Sequence, residues 1–146
     1  MAGFLAGFRA GSEARSPADR RLVPAVALSV WNLFVWGGRL RNLIAEPGDL
    51  LDANRWSLAG SILFCALAVA TLVTLTLDRS RTDIPAITMA AVGIAVWSYR
   101  AVVILGRDYS VGFLIVHTVL ALVTIVLGLV VIRSRAAFGA AVPIRS

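Results

Sequence analysis

The chain has 146 residues, of which 59% are hydrophobic, against about 45–50% in an ordinary soluble domain. Its formal net charge is +6, and its 14 basic residues are all arginines. A soluble globular domain is excluded because the apolar residues are grouped into long blocks. Nucleic-acid binding is not expected either, because the arginines are spread over the flanks of these blocks.

Four apolar runs follow one another along the chain, at 22–38, 57–77, 85–106 and 111–132. A helix needs about 20 residues to cross the roughly 30 Å hydrocarbon core of a bilayer, so each run is about one span long. The sequence therefore predicts an all-α membrane protein whose four transmembrane helices form a bundle, because the connections are short. The expected segments are a basic N-terminal segment 1–21, a membrane domain 22–135 with spans at about 22–42, 57–77, 85–106 and 111–132, and a tail 136–146.

The arginines divide unequally between the two sides of the predicted membrane. Counted from the borders of the four apolar runs, nine lie before the first run, between the second and third runs, or after the fourth, and four lie in the other two connections. Arginine-rich flanks stay on the inner side, so both termini are predicted to be cytoplasmic, in the cell membrane. These flanks are expected to attract anionic lipids at the cytoplasmic face. Trp56 and Arg41 are predicted to anchor the bundle at the opposite interface.

The two halves of the chain share several positions, which indicates a duplicated helical hairpin. Trp31 and Trp97 each follow a valine, and each is followed ten residues later by an arginine, Arg41 or Arg107. Each half ends in Arg-Ser-Arg, at 79–81 and 133–135. Because each hairpin would start and end on the same side, the predicted duplication is parallel.

The second half of the chain contains a short sequence pattern that is similar to one in other proteins. Val96-Trp97-Ser98 precedes a polar turn, which is followed by Val116-His117, Leu120 and Leu127-Gly128. Over about residues 93–135 this pattern resembles small, uncharacterised two-span membrane proteins of actinobacteria. The resemblance implies a helical hairpin. It implies no chemistry, because that family has no established activity, and the first half departs from it in having no histidine in its second span.

Small and polar residues inside the spans are expected to form close-packing surfaces and interhelical hydrogen bonds. They are Asn32 in the first span, Ser57, Ser61 and Cys65 in the second, and Ala91 and Ala95 in the third.

Arg100 and His117 are the polar residues most costly to place inside the spans. An arginine at mid-bilayer costs about 2.5–3.5 kcal/mol, and less near a helix end, where the side chain can reach the headgroups. Arg100 precedes the centre of the third connection by about the distance at which His117 follows it. A tight hairpin would place both about 10–13 Å below the outer surface. Helical spacing also puts Trp97 and Arg107 on the face of Arg100.

Three interpretations of Arg100 stay open. In the first, its side chain snorkels or binds helix-end carbonyls, and His117 is hydrogen-bonded across the hairpin. In the second, Arg100 meets an acidic residue of a partner subunit, because no acidic residue lies within any predicted span. In the third, an outward-facing pocket binds an anionic or quinone-type group through Arg100, with His117, Trp97 and Arg107 as further contacts.

The function favoured by the sequence is that of an accessory or structural subunit that packs against a larger membrane complex or a second copy of the chain. The alternative is a small transporter, or a lipid-, anion- or quinone-binding protein with its pocket at Arg100 and His117. A proton- or cation-coupled carrier is disfavoured, because the spans hold no carboxylate. No nucleophile–base pair, metal cluster or thiol pair stands out, so no enzyme activity, cofactor or metal is expected.

Overall fold

The computed structural model describes residues 17–45, 55–78 and 81–139, with side chains described over 22–45, 55–78 and 81–135. Residues 1–16 of the expected N-terminal segment and 140–146 of the expected tail lie outside the described residues. The described parts form four helices: α1 (Pro17–Ala45), α2 (Arg55–Leu77), α3 (Asp83–Leu105) and α4 (Val111–Gly139). Each is long and apolar enough to cross a membrane. The predicted all-α bundle of four membrane-length helices is confirmed.

The helices extend beyond the predicted span borders, and they do so furthest at the start of α1 and at the end of α4. α1 begins at Pro17 rather than near residue 22, and α4 continues to Gly139 rather than ending near residue 132. Proline suits the first turn of a helix because its missing N–H would be unpaired there. Arginine and alanine, which follow residue 132, are good helix formers. Hydropathy thus marked the apolar part of each helix, whereas the backbone stays helical through the polar residues beside it.

The four helices form a closed bundle in sequence order. Each helix packs against the next one along the chain, and α4 also packs against α1. We call the end of the bundle that holds Ala45, Arg55, Leu105 and Val111 the upper end, and the opposite end the lower end. The hairpins α1–α2 and α3–α4 therefore run parallel to each other, as a parallel duplication requires, and the duplication itself stays a prediction.

Two glycines allow α3 and α4 to approach each other closely. A Cβ atom on Gly128 would lie 3.0 Å from the Ile94 side chain and 3.3 Å from the carbonyl oxygen of Ala90. A Cβ atom on Gly93 would lie 3.3 Å from the methyl group of Thr124. Small residues at such crossings let helix backbones pack tightly in membranes. The predicted packing residues Ala91 and Ala95 are instead exposed on the surface of the bundle, so that prediction was wrong.

Most polar side chains in the helices bond to their own backbone. Asn32 donates to the carbonyl oxygen of Leu28 and Ser61 to that of Ser57, each four residues earlier. Such bonds satisfy polar groups where water is absent. Among the described residues neither Asn32 nor Ser61 bonds to another helix, so the interhelical bonds predicted for them are not formed there.

Side-chain hydrogen bonds between different helices also occur among the described residues. The Trp31 indole N–H donates to Thr124 Oγ1 at 2.9 Å and links α1 with α4. Arg39 Nε donates to Ser57 Oγ at 3.1 Å and links α1 with α2, as expected for Ser57. At the lower end, a salt bridge between Arg135 and Asp83 joins the end of α4 to the start of α3. The buried Arg135 side chain thus has an acidic partner within the chain.

Candidate functional site

A cavity of about 470 Å³ lies toward the upper end, between α1, α3, α4 and the turn that joins α3 to α4. We call it the anion cavity, because its charged side chains are all cationic. A volume of this size is typical of small-molecule sites. Apart from aliphatic side chains, its lining consists of Trp36, Arg39, Trp97, Tyr99, Arg100, Tyr109, Phe113 and His117.

Arg100 lies over two tryptophan rings at one side of the anion cavity. Its guanidinium carbon is 5.3 Å from the ring centroid of Trp36 and 6.0 Å from that of Trp97. Both distances lie within the range of cation–π attraction, which strengthens when the groups are desolvated. Among the described residues, no carboxylate forms a salt bridge with Arg100, in contrast to Arg135 at the lower end. The rings therefore stabilise the charge without using the N–H donors of the guanidinium group.

The two tryptophans are fixed by a buried aromatic cluster. Trp36 stacks on Phe64 of α2 with ring centroids 4.6 Å apart, and its ring lies 6.2 Å from that of Trp97. Trp36 and Trp97 are almost fully buried. Their indole N–H groups have no hydrogen-bond partner within the described part of the chain. The position of the rings beneath Arg100 is thus set by packing rather than by hydrogen bonds.

His117 belongs to an aromatic column on α4, and its ring centroid lies 6.5 Å from that of Trp97. Its ring stacks on Phe113 at 3.8 Å, and Phe113 stacks on Tyr109 at 4.4 Å. His117 Nδ1 lies 2.9 Å from the carbonyl oxygen of Phe113. A carbonyl oxygen can only accept, so Nδ1 carries the proton and Nε2 of the neutral ring is an acceptor. The bond lies within α4, so the hydrogen bond across the hairpin considered from the sequence is not formed.

Arg39 brings a second positive charge to the same cavity. It lies on α1, whereas Arg100 lies on α3, and both side chains line the anion cavity. Arg39 is exposed and Arg100 is half-buried; like charges that face one cavity repel each other, and an anion between them would offset that repulsion. The arrangement can therefore bind a carboxylate or a phosphate through cationic N–H donors.

No family model, curated protein or solved structure matches this chain. The resemblance to two-span membrane proteins of actinobacteria stays a prediction, and any function rests on the geometry of the cavity. Among the described residues, no three histidine, cysteine or acidic side chains come together in a way that could hold a metal ion.

Three of the four predicted contact residues line the anion cavity: Trp97, Arg100 and His117. Arg107 does not. It is exposed in the turn after α3, because α3 ends at Leu105 and the helical spacing that placed Arg107 beside Arg100 stops there. The interface residues Trp56 and Arg41 are both exposed toward the upper end, and their anchoring role stays a prediction.

Arg100 and His117 lie at similar distances from the upper helix ends, whereas their expected depth of about 10–13 Å below the membrane surface stays a prediction. Arg100 lies five residues before the end of α3, and His117 lies six residues after the start of α4. At about 1.5 Å per residue, both are roughly 8–9 Å from the upper helix ends. They lie at one level, as predicted for a tight hairpin.

Sequence reasoning missed the contribution of α1 to the cavity. Trp36 and Arg39 are three residues apart on α1, as Trp97 and Arg100 are on α3. A helix places such pairs on one face. Aligning Trp97 with Trp36, which has the same Trp-x-x-Arg spacing, rather than with Trp31 would have brought both arginines to the site.

Proposed function

We propose that this chain is a small membrane-spanning protein, without enzyme activity, that binds an anionic group in the anion cavity. The group is a carboxylate or a phosphate. The observation that carries the proposal is the environment of Arg100: a cation within a membrane-length helix, held over two buried indole rings and facing a cavity that a second arginine shares. Charged residues in such positions commonly mark binding sites.

Each cavity residue has a distinct part in this proposal. Arg100 supplies a planar fork of N–H donors that matches two oxygens of a carboxylate or phosphate. Arg39 adds a second positive charge at the rim. His117 accepts a hydrogen bond through Nε2 from a protonated oxygen or hydroxyl group of the ligand. The aromatic walls lower the local dielectric and so strengthen the attraction between the arginines and the anion.

Anion binding is tested by titrating the purified protein in zwitterionic detergent. The fluorescence of Trp36 and Trp97 is followed in a Trp31→Phe/Trp56→Phe background while either inorganic phosphate or phosphatidic acid is added. We expect a saturable change with at least one of these probes, and weaker binding at higher salt because the rim is exposed. If neither probe produces a saturable change, the proposal is wrong.

We further propose that the protein lies in the cell membrane with both termini in the cytoplasm, so that the anion cavity opens outward. The excess of arginine in the segments before α1, between α2 and α3, and at the end of α4 supports this orientation. In a Cys65→Ser background, Ser110→Cys should react with a membrane-impermeant maleimide in intact cells. Ser80→Cys should react only after the cells are permeabilised. The reverse labelling pattern would mean that the protein has the opposite orientation in the membrane.

The roles of accessory subunit and of small transporter stay predictions. Purification from native membranes in mild detergent distinguishes an accessory subunit from a binding protein that acts alone. Stoichiometric recovery with larger membrane proteins would support an accessory subunit, whereas recovery of the chain alone or as a homo-oligomer would argue against it. Anion flux into proteoliposomes would be required of a transporter.

A further inference from the structure

A second space continues from the anion cavity along the outside of the α3–α4 hairpin. It has a volume of about 210 Å³ and shares Trp97, Ile104 and His117 with the anion cavity. We call it the α3–α4 groove. Its remaining lining is almost wholly apolar: Ala101, Leu105, Thr118, Ala121, Leu122 and Ile125. A cationic cavity and an apolar groove therefore meet along one shared wall.

The α3–α4 groove opens on the surface of the bundle. Leu105 and Leu122 are 78% and 58% exposed, although both line the groove. For a membrane-spanning helix pair, the medium around such side chains is lipid hydrocarbon rather than water. From His117 to Ile125 the groove follows eight residues of α4, about 12 Å along the helix axis. This direction is the one in which an acyl chain extends from its headgroup into a bilayer.

We propose that the anion bound by Arg100 is the phosphate headgroup of a membrane lipid, and that an acyl chain of this lipid lies in the α3–α4 groove. This inference rests on the proposed function and names its ligand. A free anion would contact the cationic cavity alone, and an uncharged hydrocarbon would contact the groove alone. In an anionic lipid the charged headgroup is joined to an apolar acyl chain. One lipid molecule can therefore contact the anion cavity with its headgroup and the α3–α4 groove with its chain.

The depth of the two spaces fits this ligand. Arg100 and His117 lie roughly 8–9 Å from the upper helix ends, within reach of the headgroup layer by the length of an arginine side chain. The groove extends from Leu105 at the upper end, past the level of Arg100 and His117, to Ile125 near the middle of α4. The site is distinct from the arginine-rich flanks at the lower end, where any attraction of anionic lipids would be diffuse.

The test measures contact between the lipid chain and Trp97, which borders both spaces. The Trp31→Phe/Trp56→Phe protein is reconstituted into phosphatidylcholine nanodiscs that contain a small fraction of phosphatidic acid with brominated acyl chains. Bromine quenches indole fluorescence on contact. We expect half-maximal quenching at a mole fraction about tenfold lower for brominated phosphatidic acid than for brominated phosphatidylcholine, because only the former makes the charge-assisted contact.

A variant that fills the groove and a matched control show where the acyl chain of the lipid lies. Thr118 lines the groove from its exposed side, so Thr118→Phe should fill the groove without disturbing the packed interior. Thr88, also exposed and on the lower half of α3, lies outside both spaces, and Thr88→Phe serves as the control. We expect Thr118→Phe to lose the selective quenching and Thr88→Phe to retain it.

The outcomes separate this inference from the function on which it rests. Equal quenching by the two brominated lipids, or unchanged selective quenching in Thr118→Phe, would overturn the lipid assignment. Saturable binding of inorganic phosphate without selective lipid quenching would overturn it too, while leaving anion binding in place. Failure of every anionic probe to bind would overturn both the lipid assignment and the proposed anion binding.

Discussion

Replacing Arg100 by glutamine is expected to weaken the binding of an anionic group by about 10- to 100-fold. This range corresponds to the loss of one charge-assisted contact, about 1.5–3 kcal/mol. Glutamine retains a polar group but has neither the charge nor the planar fork of donors. The fold should survive, because the substitution removes a half-buried cation that has no acidic partner among the described residues.

The matched control for Arg100→Gln is Arg107→Gln. Both arginines belong to the α3–α4 hairpin, but Arg107 is exposed and lies outside the lining of the anion cavity. In the fluorescence titration, Arg107→Gln should lower affinity by no more than about threefold, through the long-range field alone. Equal weakening by the two substitutions would mean that general surface charge, and not the cavity, attracts the anion.

Replacing Gly128 by leucine is expected to give the largest loss of stability. A Cβ atom at this position would already lie within 3.0–3.3 Å of the Ile94 side chain and the backbone of Ala90. A branched side chain cannot fit there unless α3 and α4 move apart. Overpacking of this kind costs about 1–3 kcal/mol and sometimes more. Since α3 and α4 carry Arg100 and His117, anion binding should weaken together with stability.

Gly112→Leu is the control for this substitution. Gly112 lies on the same helix, and a Cβ atom there meets nothing within 4 Å. Unfolding of both variants in detergent, induced by heat or by added dodecyl sulfate, should show a clear loss for Gly128→Leu and little change for Gly112→Leu. Equal stability of the two variants would show that α3 and α4 do not depend on close contact at Gly128.

Part of the site could be predicted because the α3–α4 connection is short. Counting residues outward from it was enough to bring Arg100 and His117 to one level. The connection between α1 and α2 is longer, so counting residues from it does not show at which level of the bundle Trp36 and Arg39 lie. The repeat could have supplied this register, but the two halves were aligned on Trp31 and Trp97 rather than on Trp36 and Trp97. Arg107 was misplaced because the helical spacing from Arg100 was continued past the end of the third span into the turn.

Helix packing was the least predictable part of the fold. In a membrane-length helix the side chains facing lipid are as apolar as those facing another helix, so periodicity does not separate the two faces. Ala91 and Ala95 thus resembled packing residues as closely as Ala90 and Gly93 did. The contacts of Gly93 and Gly128 identify the face of α3 that meets α4.

The anion cavity is tested most directly by nitrogen–proton NMR of the wild-type protein during titration with phosphatidic acid. We expect saturable shifts of the Arg100 Nε–H signal and of the indole N–H signals of Trp36 and Trp97. The signals of Arg107 and Trp56, which lie outside the cavity, should stay nearly unchanged. Shifts confined to Arg107 and Trp56, with Arg100 unaffected, would place the lipid on the surface and contradict binding in the cavity.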